Sequence, residues 1–311
     1  HAHDKTLSDI GLDLAIDPFA PQSDELLLDE GLRVLCRTDE RQIPHGVFRL
    51  NGWQWHNQGM SQVQEIGYLL AATTQIFRSG MAAGLSAAQI ASKTSVCLAL
   101  PANLFDGIAK CRAIRRGWAG LVTALGLDAD SYRLKIHSIP SLRMFSLIDA
   151  DVNILRTTTA LLGGAIGGAD IMTAFAHDEL SGASPMGRRL ARMQQIMMIE
   201  ESGLGRSLDA AGGAAFIEAR SDALAQSAWA AFQDIEASGG AVGNIAAGVA
   251  DGGTVVSEML TMPSTIETKP TIVLLTPSQP STGTKLNNVK AASSPTRIGH
   301  PREPRRRRPP E

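Results

Sequence analysis

The sequence predicts an α/β fold built on a parallel sheet, and three observations carry that expectation. Short β-rich runs alternate with longer stretches of helical periodicity from residue 47 to residue 238. Each helical stretch is long enough to return the chain across a sheet between two parallel strands. Apolar residues make up 44% of the 311 positions and aromatics only 5%, which suits a substantial core of closely packed helices and strands.

The elements follow in order. "VFRLNGW" (47–53) alternates as a strand. Ser61 opens a helix, Gln64 three residues on completes a capping box, and Val63, Ile66, Leu70 and Ile76 fall near helical spacing. "TSVCLAL" (94–100) is a second strand that Pro101 ends, and Asn103 caps a helix striped by Leu104, Ile108, Cys111, Trp118 and Leu121. "RLKIHS" (133–138) is a third strand, 150–165 a third helix and "DIMTAFA" (170–176) a fourth strand. Ser184-Pro185 supplies a cap and a first-turn proline for the next helix, and a last helix runs from Ser221 to 238. Four βα units are half of an eight-fold barrel. No GxGxxG follows any strand, so dinucleotide binding has no positive support. Residues 1–44 are polar and weakly periodic and read as mostly loop. From about Gly243 the pattern degrades, so 45–243 is expected to be the barrel segment and 244–311 a divergent, largely disordered basic tail.

Charge and cysteine usage narrow the function classes. The formal net charge is −2, yet residues 264–311 hold nine Lys/Arg against three Glu, which leaves the body acidic. An acidic body is a poor nucleic-acid surface, and "RRRR" (305–308) reads as a solvated tail. Cys36, Cys97 and Cys111 form neither a CxxC nor an even-numbered framework, which fits a reducing compartment. No apolar run approaches a membrane span, and "HAHDKT" is not a secretory n-region. The expectation is a cytoplasmic chain with no membrane partner, no nucleic-acid partner and no metal site.

Residues 153–213 carry a family resemblance. They contain Arg156-Thr157, Gly167-Gly168, His177-Asp178-Glu179, Arg189-Leu190-Ala191-Arg192 with Gln195, Glu200-Glu201-Ser202-Gly203 and Asp209-Ala210-Ala211-Gly212-Gly213. With "FDGIAKCRAIRRGWAGL" (105–121), this order resembles the methylmalonyl-CoA mutase family over about residues 48–240. The resemblance implies the C-terminal part of a (β/α)₈ TIM barrel, through which acyl-CoA threads. It also implies adenosylcobalamin, which supplies the radical chemistry at the barrel's C-terminal rim while the protein supplies binding and electrostatics.

The same resemblance tests the site position by position. Catalytic chains of the family end the first strand here with G-Y-H-M-x-E-A-G. This chain has Gly52-Trp53-Gln54-Trp55-His56-Asn57-Gln58-Gly59, so Gln54 takes the histidine position. His56 lies two residues further along the expected strand, about 6.5–7 Å away on the same face, and is read as structural. Lys93 and Ser95 stand at the family's CoA-contacting R-x-S, and Lys135 and His137 at its R-x-H-x-Q, whose glutamine is Ile139 here. Leu142 replaces a glycine, and Glu179 keeps the cofactor-facing position of the D-E turn. The expected substrate-binding residues are therefore Lys93, Ser95, Lys135 and His137, with Glu179 toward the cofactor and no catalytic residue.

The family pairs a catalytic large subunit with a homologous small subunit that does no chemistry, and "WHNQG" (55–59) fits the small-subunit pattern. The cobalamin-domain motif D-x-H-x-x-G is absent from the sequence. The expectation is an isomerase subunit, inactive alone and partnered by a large subunit. Two alternatives stay open: a catalytic barrel fragment of a divergent acyl-CoA mutase, and a non-enzymatic binding module acting through its basic tail.

Overall fold

A computed structural model describes residues 13–21, 23, 26–41, 46–207, 209–241 and 271–274. The chain divides into two units, His1–Pro277 and Ser278–Glu311, and every described residue lies in the first. The basic tail expectation, apart from 271–274, falls outside the described residues.

One sheet organises that unit. Its strands are β1 (Asp13–Ile16), β2 (Gly46–Asn51), β3 (Thr94–Leu100), β4 (Lys135–Pro140), β5 (Ile171–Ala174) and β6 (Thr271–Leu274), and they neighbour one another in chain order. The first five are parallel and β6 is antiparallel to β5. Sequential order in a parallel sheet carries no reversal of winding, so the sheet curls as half a barrel and is not doubly wound.

The helices fall close to the sequence expectations because their caps are local. In α3 (Gln62–Ala82) Ser61 and Gln64 exchange both capping-box bonds. In α5 (Leu104–Ala124) Asn103 accepts from Phe105 and Asp106, and in α7 (Pro185–Glu200) Ser184 accepts from Gly187. Each bond satisfies a first-turn amide that has no partner within its helix. Helix α6 (Val152–Ile166) is in its expected place, and α8 (Ala215–Ala237) begins six residues before Ser221. A short α4 (Ala87–Ser92), capped by Ser86 and Gln89, was not expected.

Three expectations need correction. The 1–44 segment, expected to be mostly loop, contains β1 and a 14-residue α1 (Leu27–Glu40). Its buried stripe of Gly31, Leu32, Leu35 and Thr38 is interrupted by charges, which masked the periodicity. The tail expected to diverge from Gly243 supplies β6, whose β-branched start pairs the otherwise open β5 edge. The strand expected over 47–53 stops at Asn51, and Gly52–Asn57 forms helix α2. Gln54 and His56 are thus two positions apart on a helix, on different faces, and are not displaced along one strand face.

The sheet's two faces differ in character. Phe48, Leu50, Val96, Leu98, Leu100, Ile136 and Met172 are 0–1% exposed and share the core with Ile66, Leu69 and Leu70 of α3 and Ile114 of α5. Helix α8 packs against both α3 and α5, and Gly67 lets its backbone approach: a Cβ there would lie 3.0 Å from Ala231. Arg112 and Arg115 of α5 explain several family motifs as scaffold. Arg112 holds Asp209 of the D-x-x-G-G loop, and Arg115 reaches the carbonyls of Gly167 and Gly168 and the Asp170 carboxylate.

Gly52 marks the tightest junction. A Cβ on it would lie 2.8 Å from Leu69, 2.9 Å from Glu65 and 3.0 Å from the Cys97 carbonyl oxygen. Gly52→Ala is expected to destabilise the protein by about 1–3 kcal/mol, read as a lower urea midpoint. An unchanged midpoint would contradict this packing of α2 on β3.

Candidate functional site

The polar face of the sheet is assembled by register. Arg49 pairs with Ser95 and Ser95 with Lys135, while Cys97 pairs with His137 and His137 with Ile171. These positions and Thr173, two residues along β5, share the face opposite the helices. A chain of contacts crosses it. Arg49 is ion-paired to Asp13 of β1 and its Nη1 donates to His137 Nδ1 at 3.2 Å. Arginine has no acceptor, so His137 Nδ1 carries no proton, and Nε2 donates to Thr173 Oγ1 at 2.8 Å. Burial first, and the Arg49 cation second, push His137 down to about 4. It is a neutral imidazole with both nitrogens committed to the protein.

The expected substrate-binding residues gather on the N-terminal half of this face. Ser95 donates to the Phe48 carbonyl at 3.0 Å, so its hydroxyl closes a strand contact. Lys93 follows α4, and burial together with neighbouring Lys135 holds its ammonium below the ordinary lysine value against the opposing pull of Asp39. Lys135 is exposed at the start of β4. Ile139 occupies the same face opposite Ala99. Glu179 lies beyond the end of β5, where its Oε2 accepts the Ala176 amide at 3.1 Å. Burial raises its carboxyl above the ordinary value. Through Oε2 its carboxylate braces its own turn.

A second polar constellation, whose Lys110 and His56 lie in the quoted stretches 105–121 and 55–59 but whose pairing the sequence did not reveal, sits behind the strand ends. Glu65 of α3 and Lys110 of α5 are both 0% exposed and form an ion pair. The Ala99 amide donates to Glu65 Oε1 at 3.0 Å, and Lys110 Nζ donates to the Ala99 carbonyl at 2.6 Å, so the pair clamps one residue of β3. His56 Nδ1 lies 3.1 Å from Glu65 Oε2, and its Nε2 is 3.0 Å from Ser141 Oγ after β4. Burial alone would raise Glu65, but Lys110 and His56 hold it below the ordinary carboxylate range. His56 is lowered, by burial foremost. Gln54 faces elsewhere, and its Oε1 is buried without a hydrogen-bond partner among the described residues.

Fold and site together define a singly wound parallel α/β protein whose inner sheet face carries a polar network joining Asp13, Arg49, His137 and Thr173. Residues 43–274 match the methylmalonyl-CoA mutase family, and the chain belongs to that family. The match reaches past residue 240, where the sequence reading ended it. Over 196 residues the chain is 36% identical to the methylmalonyl-CoA mutase small subunit of Streptomyces virginiae, covering 63% of this chain and 32% of that one. Against the large subunit of the same organism it is 30% identical over 218 residues, 70% of this chain and 30% of that one. The small subunit of Propionibacterium freudenreichii subsp. shermanii is 29% identical over 247 residues, 76% and 38% of the two chains. The chain thus spans about a third of the length of the relatives it matches. No helix among the described residues is long and apolar enough to cross a membrane.

Two outcomes test these assignments. Lys110→Met strands a buried carboxylate and is expected to cost about 3–5 kcal/mol, most of it recovered when Glu65→Gln is added; urea titrations in which the double variant is no better than the single one would contradict the pairing. The second concerns pH. Between 6.5 and about 4 the unfolded chain protonates His137 while the folded chain does not, so stability falls with acidification across that window. Asp17, raised by burial from 3.8 to about 6, acts in the opposite sense, because the folded chain keeps a proton that the unfolded chain has released. His137→Gln should flatten the acid loss of thermal stability, and Asp17→Asn should steepen it.

Proposed function

We propose that this chain is part of a non-catalytic small subunit of an adenosylcobalamin-dependent methylmalonyl-CoA mutase, and that its sheet is the C-terminal part of a (β/α)₈ barrel. In this reading it supports a large subunit in a cytoplasmic heterodimer that interconverts methylmalonyl-CoA and succinyl-CoA. Strands in chain order support the barrel, and the higher identity to a small subunit than to the large subunit of the same organism supports the subunit assignment.

The observation that carries the non-catalytic role is His137. Its two nitrogens are spent on Arg49 and Thr173, and the Asp13–Arg49 pair occupies the polar face beside it. A substrate carbonyl would have to displace an ion pair to reach a histidine of depressed basicity. Lys93, Ser95 and Lys135 line the same face and on this reading keep the family's CoA-contacting positions without a working centre. Bound adenosylcobalamin supplies radical chemistry to the complex, and Glu179 serves its own turn.

One observation favours the runner-up, a catalytic fragment of a divergent acyl-CoA mutase: the unpartnered buried oxygen of Gln54 stands where the family's histidine would. Incubating the purified chain with adenosylcobalamin and methylmalonyl-CoA separates the two. The expected outcome is no succinyl-CoA without a large subunit and co-purification with one when both are expressed. Turnover by this chain alone would reject the non-catalytic role.

A further inference from the structure

Ser141, His56 and Glu65 come from three separate elements and meet in one line. Ser141 Oγ is 3.0 Å from His56 Nε2, and His56 Nδ1 is 3.1 Å from Glu65 Oε2. The proton positions follow from the partners. Glu65 accepts from Lys110 and from the Ala99 amide, so it is a carboxylate. The Nδ1 proton of a neutral imidazole therefore faces Glu65, which leaves Nε2 as an acceptor for the Ser141 hydroxyl proton. Ser141 Oγ in turn accepts from the Arg143 amide at 3.2 Å.

We propose that Ser141 is a nucleophile activated by His56, with Glu65 orienting the imidazole, and that this centre hydrolyses a short-chain carboxylic ester or thioester. The order of roles is that of a serine–histidine–carboxylate triad. Nδ1 lies at contact distance from Glu65 without completing an aligned hydrogen bond, and such bonds in ligand-free sites commonly tighten on binding.

The surroundings support a site. His56 and Ser141 stand at the C-terminal ends of β2 and β4, the end of a parallel sheet where α/β proteins bind ligands. Both line a cavity of about 660 Å³, within the range of small-ligand sites. Val63, Pro101, Met144 and Leu224 give it an apolar wall for an acyl chain, and exposed Arg143 gives it a cation for an anionic substituent. Arg143 is positioned by bonds from Nη1 to the His56 and Met60 carbonyls. The first turn of α3 also borders the cavity at Gln62 and Val63.

The chemistry balances without a further reactant. The Ser141 oxygen bonds to the acyl carbon as its proton passes to His56 Nε2. The carbon–oxygen or carbon–sulfur bond breaks, and the leaving group takes that proton. Water then repeats the two steps, releasing the acid and restoring Ser141. This activity uses a cavity and a serine that the mutase reading does not, so it stands or falls independently of it.

The test treats the full chain with a fluorophosphonate–biotin probe and maps the adduct by mass spectrometry, alongside hydrolysis of p-nitrophenyl butyrate. The expected result is an adduct on Ser141 in the native protein that heat denaturation abolishes. Ser141→Ala should remove the hydrolysis, and His56→Asn should lower it by about a hundredfold or more. An unlabelled Ser141 in the native chain, or wild-type hydrolysis by Ser141→Ala, would overturn the proposal. The labelling readout needs no variant to fold.

Discussion

The buried Glu65–Lys110 pair is the constraint on which the rest of this structure depends. Neither charge reaches solvent, so each must find every partner inside the protein. Together they bond both backbone polar groups of Ala99, which fixes α3 and α5 against the C-terminal end of β3. The same carboxylate takes His56 from α2, and His56 takes Ser141 from the end of β4. Five elements are thereby registered by one pair, and Gly52 is required because nothing larger fits between that pair's helix and β3.

The polar face of the sheet follows a related logic with a different result. Asp13, Arg49, His137 and Thr173 satisfy one another across four strands. These bonds commit both ring nitrogens of His137 and leave the buried Arg49 Nε without a hydrogen-bond partner among the described residues. The face retains family-like residue types at Ser95 and His137 while their polar atoms point at protein partners.

Much of the architecture was legible because its signals are local. Caps at Ser61, Asn103 and Ser184 act within three residues, and the strands at 94–100 and 170–176 are apolar runs bounded by breakers. Misreadings arose where distant contacts decide the conformation. The alternation of 47–53 carries the strand reading past Asn51, yet Asn51 accepts the Gln54 amide and His56 lies against Glu65, and Gly52–Asn57 is a helix. Helix α1 hides its stripe under interleaved charges, and β6 is short enough that only pairing with β5 distinguishes it from a tail.

By itself the sequence determined the α/β class, the parallel order, most helix starts and the family, since periodicity, capping and motif spacing are properties of neighbouring residues. It also identified Lys93, Ser95, Lys135, His137 and Glu179 as positions of interest. Only the tertiary structure decided what those side chains do. Arg49 was not singled out in the sequence, and its effect on His137 comes from a residue 88 positions away. Ser141 meets His56 across 85 positions. Burial and pairing set proton affinity and availability, and both are created only when the strands and helices close on one another.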